Sequence, residues 1–366
     1  MPDIDNVMGV DSADIDSIFG VARADIDTVM GVTVPSLGDW KGTRAIIIGG
    51  NHYNAAGYGR SVDSIQYKTL TTDGNTSAFD DLSLPTHDAA GSGSNGTRIV
   101  YGGGRTYAAS GSENHVTIEY MVAASTGSVA DAGDLEVGSY AGGRDGASNG
   151  TLCFFVGGAN GLQANMEQMT ISSTSGAADA GDLQFGTSGD HCTSNGDSKF
   201  LIIGLGTAQA GKTAIDEHNF DTSASSTAYG NVATVGIGMS GSVCATNRVV
   251  TAGGFVSSGP YVLGTRMQFF PVASSADGDS SDEADLVVGV MAPCGTSDGT
   301  RGEFYGGEAT SANNYQQNDI QKITIASLSN ATDIGDLTTE DTYGAGNHWS
   351  GSDSGGITNA SAQTGT

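Results

Sequence analysis

The sequence predicts an all-β propeller of six four-stranded blades, one for each of its repeats, and three observations lead to this fold class. One pattern returns six times, most completely in 97–150, at a period of about 50 residues that is typical of propeller blades. Glycine, at 57 of 366 residues, separates short apolar runs, as expected of strands joined by turns. The apolar residues show no long helical periodicity, so a sheet-based fold is favoured.

Each repeat unit has four parts in a fixed order. An apolar run ends in a glycine pair (TRIVYGGG), a polar loop follows, and a second apolar run (VTIEYMVA) leads to an Asp-Leu box (AGDLEVG). The box aspartates are expected to fix turns through bonds from side chain to backbone. A tail of small residues then supplies a fourth strand that enters the next unit. The glycine pairs begin at Gly49, Gly102, Gly157, Gly204 (degenerate), Gly253 and Gly306, in steps of 53, 55, 47, 49 and 53 residues.

Residues 1–32 form a separate array with an 11-residue period: DIDNVMGV, DIDSIFGV and DIDTVMGV. Each unit can form one helical turn, with aspartate as the N-cap and glycine in the left-handed C′ position. A right-handed coiled coil also fits this period, but a glycine in every unit disfavours a continuous helix. Turns this short are marginal alone. We therefore expect the array to order against symmetry mates or a partner through its apolar anchors, Ile4, Ile15, Phe19, Ile26 and Met30.

The remaining boundaries follow from the repeats. Residues 33–42 are predicted as a linker, 43–356 as the propeller and 357–366 as a tail. Small residues continue through 344–356, whereas no such strand precedes the first glycine pair. We therefore expect 344–356 to supply the innermost strand of the first blade, which would close the ring and cover its strand edges.

The charge and the segment types limit the partners. The net charge is −27, from 14 basic and 41 acidic residues, so neither nucleic acid nor an anionic membrane is an expected partner. No apolar run reaches the ~18 residues of a membrane span, and the N-terminal segment lacks the basic start and apolar core of a signal peptide. The four cysteines, placed in separate strands of the repeat array, are predicted to be free and buried.

No set of residues predicts catalysis or a cofactor. The run GTAQAGKT at 206–213 has the spacing of a phosphate-binding loop, but the residues after it match a strand of the repeat, and such a loop requires a helix there. The six histidines are scattered. The D-x-D pairs in 1–32 fail the EF-hand spacing. The acidic run 277–282 leaves a structural calcium ion open, although a solvated acidic turn explains it as well.

The loops after the glycine pairs are expected to emerge on one face of the propeller. They carry tyrosines among asparagine and glutamine, a combination that suits sugar rings, because the aromatic ring stacks on the apolar face while amides bind hydroxyls. The candidate ligand-binding residues are Tyr53, Tyr58, Tyr107, Tyr261 and Tyr315.

The order of strand, glycine pair, loop and N-x-I-x-Y-type strand resembles the kelch motif over 43–356. It departs from that motif because the Gly-Asp-Leu box stands where kelch repeats have a tryptophan. Together with the short D-I-D-x-V-x-G-V repeats, the pattern is similar to structural proteins of marine tailed bacteriophages. This resemblance implies a virion structural protein that assembles in the host cytoplasm.

In such a protein, residues 1–32 would bind other virion proteins or sister subunits, giving a homo-oligomer in the assembly. The propeller would project outward as a tail-fibre or host-attachment appendage and bind a host surface glycan. Two non-enzymatic alternatives remain open, a capsid decoration protein and a carbohydrate-binding adhesin of a bacterial cell surface. A propeller hydrolase or lyase would need clustered carboxylates that break the repeat, so the sequence predicts a protein that is not an enzyme.

Overall fold

The computed structural model of the chain divides into two compact units, Met1–Asp39 and Trp40–Thr366. The described residues of the first unit are 6–7, 10–11, 17–18, 21–22, 28–29 and 32–33. Those of the second are 44–53, 59–108, 111–123, 125–127, 129–136, 144–157, 163–187, 191–194, 199–205, 213–232, 238–245, 248–255, 264–271, 281–290, 293–307, 317–327 and 329–338. Within these ranges the chain forms strands and turns, and no helix there is long and apolar enough to cross a membrane.

The N-terminal unit contains short antiparallel strand pairs. These are β1 (Asn6–Val7) with β2 (Val10–Asp11), β3 (Ser17–Ile18) with β4 (Val21–Ala22), and β5 (Thr28–Val29) with β6 (Val32–Thr33). In every pair two residues, the second of them glycine, separate the innermost partners, as between Val7 and Val10. The interpretation as capped helical turns is therefore wrong. A glycine between two β-branched residues is also a hairpin signal, and the structure adopts that alternative.

Six antiparallel blades form a β-propeller. Blades 1 and 2 belong to one eight-stranded sheet, which also includes two short additional strands, β8 (Asn51–Tyr53) and β12 (Gly111–Asn114), and each of the other blades is a four-stranded sheet. Blade 1 contains β7 (Arg44–Ile48), β9 (Gly59–Thr69) and the first part of β10 (Ser77–Ser94), and blade 2 contains the rest of β10, β11 (Arg98–Ala108), β13 (Thr117–Val122) and β14 (Ala130–Asp134). Blades 3 and 4 contain β15 (Arg144–Ser148), β16 (Leu152–Gly157), β17 (Gln163–Thr170), β18 (Ala178–Thr187), β19 (His191–Ser194), β20 (Lys199–Leu205), β21 (Ala214–Asn219) and β22 (Thr227–Asn231). Blades 5 and 6 contain β23 (Gly238–Ala245), β24 (Arg248–Phe255), β25 (Arg266–Pro271), β26 (Ser281–Asp285), β27 (Cys294–Ser297), β28 (Arg301–Tyr305), β29 (Asp319–Thr324) and β30 (Thr332–Asp336).

Blades 2 to 6 each have an inner, a second, a third and an outer strand in chain order. The inner strands of neighbouring blades contact each other. The small-residue tail of one repeat supplies the inner strand of the next blade, as predicted, and β10 shows this directly because it belongs to both blades 1 and 2. In blade 1 the described residues supply three strands. Residues 344–356, predicted as its innermost strand, lie outside the described residues, so this part of the prediction is untested.

Local sequence signals explain the turns between inner and second strands. Asn149 Oδ1 accepts hydrogen bonds from the amides of Thr151 (3.0 Å) and Leu152 (2.8 Å), and Gly150 has a φ of 85° that other residues rarely adopt. Asn95 and Asp298 bind the equivalent amides of their own turns. The Asn/Asp-Gly pair is therefore the reason that the chain reverses where it does in blades 2, 3 and 6.

The glycine pair of blade 2 differs by one residue from the predicted position. Gly103 and Gly104 have positive φ angles of 86° and 87°, as do Gly49 and Gly50 in blade 1. Gly102 instead lies inside the strand pairing, opposite Ile118. Three glycines in a row made the register ambiguous in the sequence, and the corrected position makes the first two steps of the repeat equal.

The hydrophobic core lies in the seams between blades. Phe154 of blade 3 packs against Phe200 and Phe220 of blade 4, with ring centroids 5.1 and 5.6 Å apart. All four cysteines are free and buried, which confirms the prediction. Burial raises the pKa of the Cys244 thiol well above its ordinary value, so this thiol stays protonated.

The Asp-Leu box connects each blade to the next. Leu135 is buried, and the following amide, of Glu136, donates to Glu167 Oε2 of blade 3 (2.7 Å). The amide after the box leucine makes the same bond from Ser83 to Glu119, from Gln184 to Asp216 and from Thr338 to Gln66. In blade 5 the donor is one position later, and the amide of Val288 donates to Gln321. We call these bonds the amide latches. Each accepting side chain is buried, so an unsatisfied partner in a latch would be costly.

The box aspartate of blade 2, Asp134, acts differently from the expectation. The carbonyl of Asp134 accepts a bond from the amide of Ala177 in the next blade (2.9 Å). The predicted bond from side chain to backbone is made by an earlier aspartate, Asp131, whose Oδ1 accepts from Gly133 N (2.7 Å). The sequence identified the right type of interaction and assigned it to the wrong aspartate.

Exchanging Glu167 tests an amide latch. We expect Glu167→Leu to lower the free energy of unfolding by about 1–3 kcal/mol, because the Glu136 amide loses its acceptor in a buried seam. Glu167→Gln is the matched control, since glutamine occupies this position at Gln66, Gln268 and Gln321 and keeps an accepting oxygen. Urea unfolding of both variants measures the difference. Equal losses for leucine and glutamine would contradict this role of the acceptor.

His218 predicts a pH-dependent stability. Its Nε2 contacts the Ala224 carbonyl (2.9 Å), whereas its Nδ1 is buried without a partner near Phe154 and Phe200. Burial lowers the pKa of His218 from its ordinary value of 6.5, so protons bind more readily to the unfolded state. The contribution of His218 to stability is therefore greatest above about pH 6.5 and falls as the pH decreases below it.

We expect His218→Met to reduce that loss of stability between pH 6.5 and 5. Methionine occupies the equivalent positions in Met121 and Met169, so the seam should still pack. Urea unfolding at several pH values compares the variant with the parent protein. Because His115 is present in both, the difference reports on His218, and identical pH profiles would rule out its contribution.

Candidate ligand-binding face

The strand ends that the loops after the glycine pairs connect lie at one end of the propeller. In every blade the second and third strands pair antiparallel, so the connection between them always leaves the sheet at the same end. This confirms the predicted common face, which we call the loop face. Outer strands also end there, because they run antiparallel to the third strands.

Backbone bonds close the bases of several loops. Gly50, Gly104, Gly254 and Gly307 each accept a bond from an amide on the far side of the loop, at 2.8–3.1 Å. In blades 1 and 2 the loops extend further as paired strands, β8 with β9 and β11 with β12. The loop face therefore has a hydrogen-bonded base from which two hairpins extend.

A contact between blades holds the blade 2 hairpin. Thr106 Oγ1 lies 2.5 Å from the carbonyl of Pro85 in blade 1 and 2.5 Å from His115 Nε2. Since the hydroxyl has a single hydrogen, donation to Pro85 leaves the imidazole as donor to Thr106. Burial lowers the pKa of His115, with nearby Glu113 opposing the shift. A neutral imidazole fits this arrangement.

Exposed apolar side chains lie at the same end, and the sequence analysis missed them. Leu84 is 43% exposed, Phe185 49% and Val287 54%. Each follows the buried leucine of an Asp-Leu box by one or two positions, in DLSL, DLQF and DLVV. An apolar residue directly after the box was the available signal. Their solvent exposure could be recognised only once the end of each outer strand was known.

The predicted site residues are largely outside the described part of the chain. Tyr53 and Tyr107 lie on the projecting strands β8 and β11, for which the backbone is described. Outside the described residues lie Tyr58, Tyr261, Tyr315, the anchors Ile4, Ile15, Phe19, Ile26 and Met30, and most of the acidic run 277–282. Their predicted roles are therefore untested.

The phosphate-loop pattern at 206–213 has the context expected of a structural loop. Strand β20 precedes it, and β21 follows it where a phosphate-binding loop would need a helix. Among the described residues, no group of three or more His, Cys, Asp or Glu side chains is placed to hold a metal ion.

Buried acids near the loop face have structural partners. Asp216 Oδ2 accepts from Ser226 Oγ (2.5 Å) and from the Gln184 amide (3.4 Å). Burial raises the pKa of Asp216, and both hydrogen bonds oppose that shift. Glu119 and Glu167 accept amide latches in the same way. These carboxylates connect successive blades.

The geometry defines the class of this protein: it is a six-bladed β-propeller with antiparallel blades. A solved structure titled "Structure of YjhT" is similar to it, with a TM-score of 0.58 and 14% sequence identity over 79% of this chain and 97% of that chain. No family model and no curated protein matches the sequence. Since 274 chains of solved structures match, the fold is a common one, and it does not by itself specify a function.

Proposed function

We propose that this protein is a non-enzymatic structural protein of a bacteriophage particle that serves as a tail-fibre or host-attachment appendage. Residues 1–32 attach it to other virion proteins, and the propeller presents its loop face to a host surface glycan. The observation that carries the proposal is the arrangement of the loop face, with two projecting hairpins and exposed apolar side chains around a closed base. Sugar rings bind to surfaces of this kind through stacking and apolar contact.

Two further observations support the proposal. The repeats form a compact unit separate from the propeller, as an attachment segment requires. The buried acids Glu119, Glu167 and Asp216 accept backbone amides between blades, which accounts for them without a catalytic role. Capsid decoration and adhesion to a bacterial surface remain the alternative functions, and both would use the same loop face or the same repeats.

Binding to immobilised bacterial surface polysaccharides tests the loop face. We expect Phe185→Ser and Leu84→Ser each to weaken binding about tenfold, equal to ~1.4 kcal/mol. Val122→Ser is the matched control, because Val122 is 42% exposed but ends a third strand at the opposite face. Equal binding by all variants would exclude these two side chains from the contact, and shortened polysaccharide in the mixture would indicate an enzyme.

Deleting residues 1–32 tests the attachment role separately. We expect the shortened protein to keep its glycan binding and its far-ultraviolet circular dichroism, because the propeller has its own core. It should no longer co-purify with virus particles assembled in infected cells. Normal incorporation of the shortened protein into particles would contradict the anchoring role.

A further inference from the structure

One side-chain position recurs at the seams between blades. A residue from the second strand of one blade packs against a residue from the third strand of the next. The described apolar or aromatic pairs are Ile46 with Met121, Val100 with Met169, Phe154 with His218, and Val250 with Ile323. In each of these blades the third-strand position directly follows the residue that pairs with the second-strand position, as Met121 follows Tyr120, the partner of Val100. The positions are therefore equivalent from blade to blade.

The seam between blades 6 and 1 has a charged pair at this position. Lys68 Nζ of blade 1 lies 2.9 Å from Glu303 Oε1 of blade 6, and the two side chains are only 2% and 0% exposed. Lys68 also donates to the Thr72 carbonyl (2.5 Å). Glu303 also accepts from Arg301 Nε (2.6 Å) and from the hydroxyl of Tyr305. Both charges are therefore satisfied inside the seam.

Around the buried pair of Lys68 and Glu303, further contacts join the same two blades. Asp73 of blade 1 forms ion pairs with Arg301 (2.7 Å) and Lys322 (2.9 Å) of blade 6. The amide of Thr338 donates to Gln66 (2.8 Å), which is the amide latch of this seam. The contacts that distinguish this seam from the other described ones are thus the ion pairs of Asp73 and the buried charged pair, and of these the charged pair alone is fully buried.

Selection of the correct neighbouring blade explains this charged pair better than a net gain in stability does. A buried ion pair is often no more stabilising than a well-packed apolar pair, because desolvation offsets the attraction of the charges. Burying one of the charges without its partner, however, is strongly unfavourable. Lys68 would meet Val250 if blade 5 packed against blade 1, and Glu303 would meet Met121 if blade 6 packed against blade 2.

We propose that Lys68 and Glu303 form a closure clasp that selects blade 6 as the neighbour of blade 1 and thereby fixes the ring at six blades. Repeated blades present similar latches and apolar seams, so a ring that omits a terminal blade is the competing structure. The clasp disfavours a ring without blade 6 because Lys68 would be buried without a carboxylate partner. It disfavours a ring without blade 1 because Glu303 would face an apolar residue with only its blade 6 partners, Arg301 and Tyr305. This inference concerns ring closure and does not depend on the proposed function.

Refolding of the full chain tests the clasp. The double variant Lys68→Met/Glu303→Val carries residues found at the equivalent positions of other seams, Met121 and Val100. After refolding from urea, amide hydrogen exchange measured by mass spectrometry separates complete rings from those with an exposed terminal blade. We expect one protected population for the parent protein. The double variant should show a second population in which blade 1 or blade 6 exchanges rapidly. The fraction of molecules in that population should be about tenfold or more above its fraction in the parent protein.

The volume-conserving variant Ile46→Leu/Met121→Leu is the control for altered packing alone, and it should refold to one population. All variants retain residues 1–39, so association through that unit is common to them. A double variant that refolds to one fully protected population would overturn the proposal. Failure of the double variant to fold would overturn it equally, because the pair would then supply stability and not selectivity.

Discussion

Breaking the closure clasp from one side is expected to lower the free energy of unfolding by about 3–5 kcal/mol. Glu303→Val should lie near the upper end, because it leaves Lys68 buried near Arg301 with only carbonyl partners. Lys68→Met should lie near the lower end, because Glu303 keeps its bonds from Arg301 and Tyr305. Equilibrium unfolding in urea measures both values.

The double variant provides the control for this prediction. Lys68→Met/Glu303→Val should be within about 1–2 kcal/mol of the parent protein, because no charge is left unpaired. The two single losses should therefore not add, and a double-mutant cycle gives their coupling. Additive losses would show that Lys68 and Glu303 act independently, contrary to the 2.9 Å contact between them.

Gly146→Ala is expected to destabilise the propeller by about 3 kcal/mol or more, through overpacking between two inner strands. An added Cβ would lie 2.2 Å from Ser92 N and 2.4 Å from Ser92 O. Because both contacts are with backbone of the neighbouring blade, side-chain rotation cannot relieve them. Thermal unfolding and urea unfolding measure the loss.

Gly127→Ala is the matched control for this substitution. A Cβ at Gly127 has no atom within 4 Å, so the stability should change by less than about 0.5 kcal/mol. Equal effects at the two positions would show that the loss comes from the general cost of replacing glycine. If Gly146→Ala left the free energy of unfolding unchanged, the inner strands could separate without penalty. That result would contradict their close packing.

Short-range chemistry made much of the fold predictable. Asn149 and Gly150 define a turn because the side chain and the φ angle act within three residues. The same reasoning predicted the repeated strands and the free, buried cysteines. Prediction failed where a local signal fitted two structures. The glycines of the N-terminal repeats fitted both a helix end and a hairpin, and the three glycines at 102–104 left the register of the strand open.

The candidate face was predictable only in outline. Repeat order implied that the loops would share one face, since strand direction alternates within a blade. The exposure of Leu84 and Phe185 did not follow, because nearby Leu82 and Leu183 have the same apolar character and are buried. Burial depends on how the next blade covers each outer strand.

The sequence by itself determined the repeat, the strand types, the turns and the acidic charge, because each is written in residues close together in the chain. Tertiary structure decided the amide latches, the close approach of inner strands and the pairing of Lys68 with Glu303, which are 235 positions apart. In the sequence, both residues stand in runs that read as ordinary strands. Their structural role depends on ring closure, because only the packing of the last blade against the first buries the two charges together.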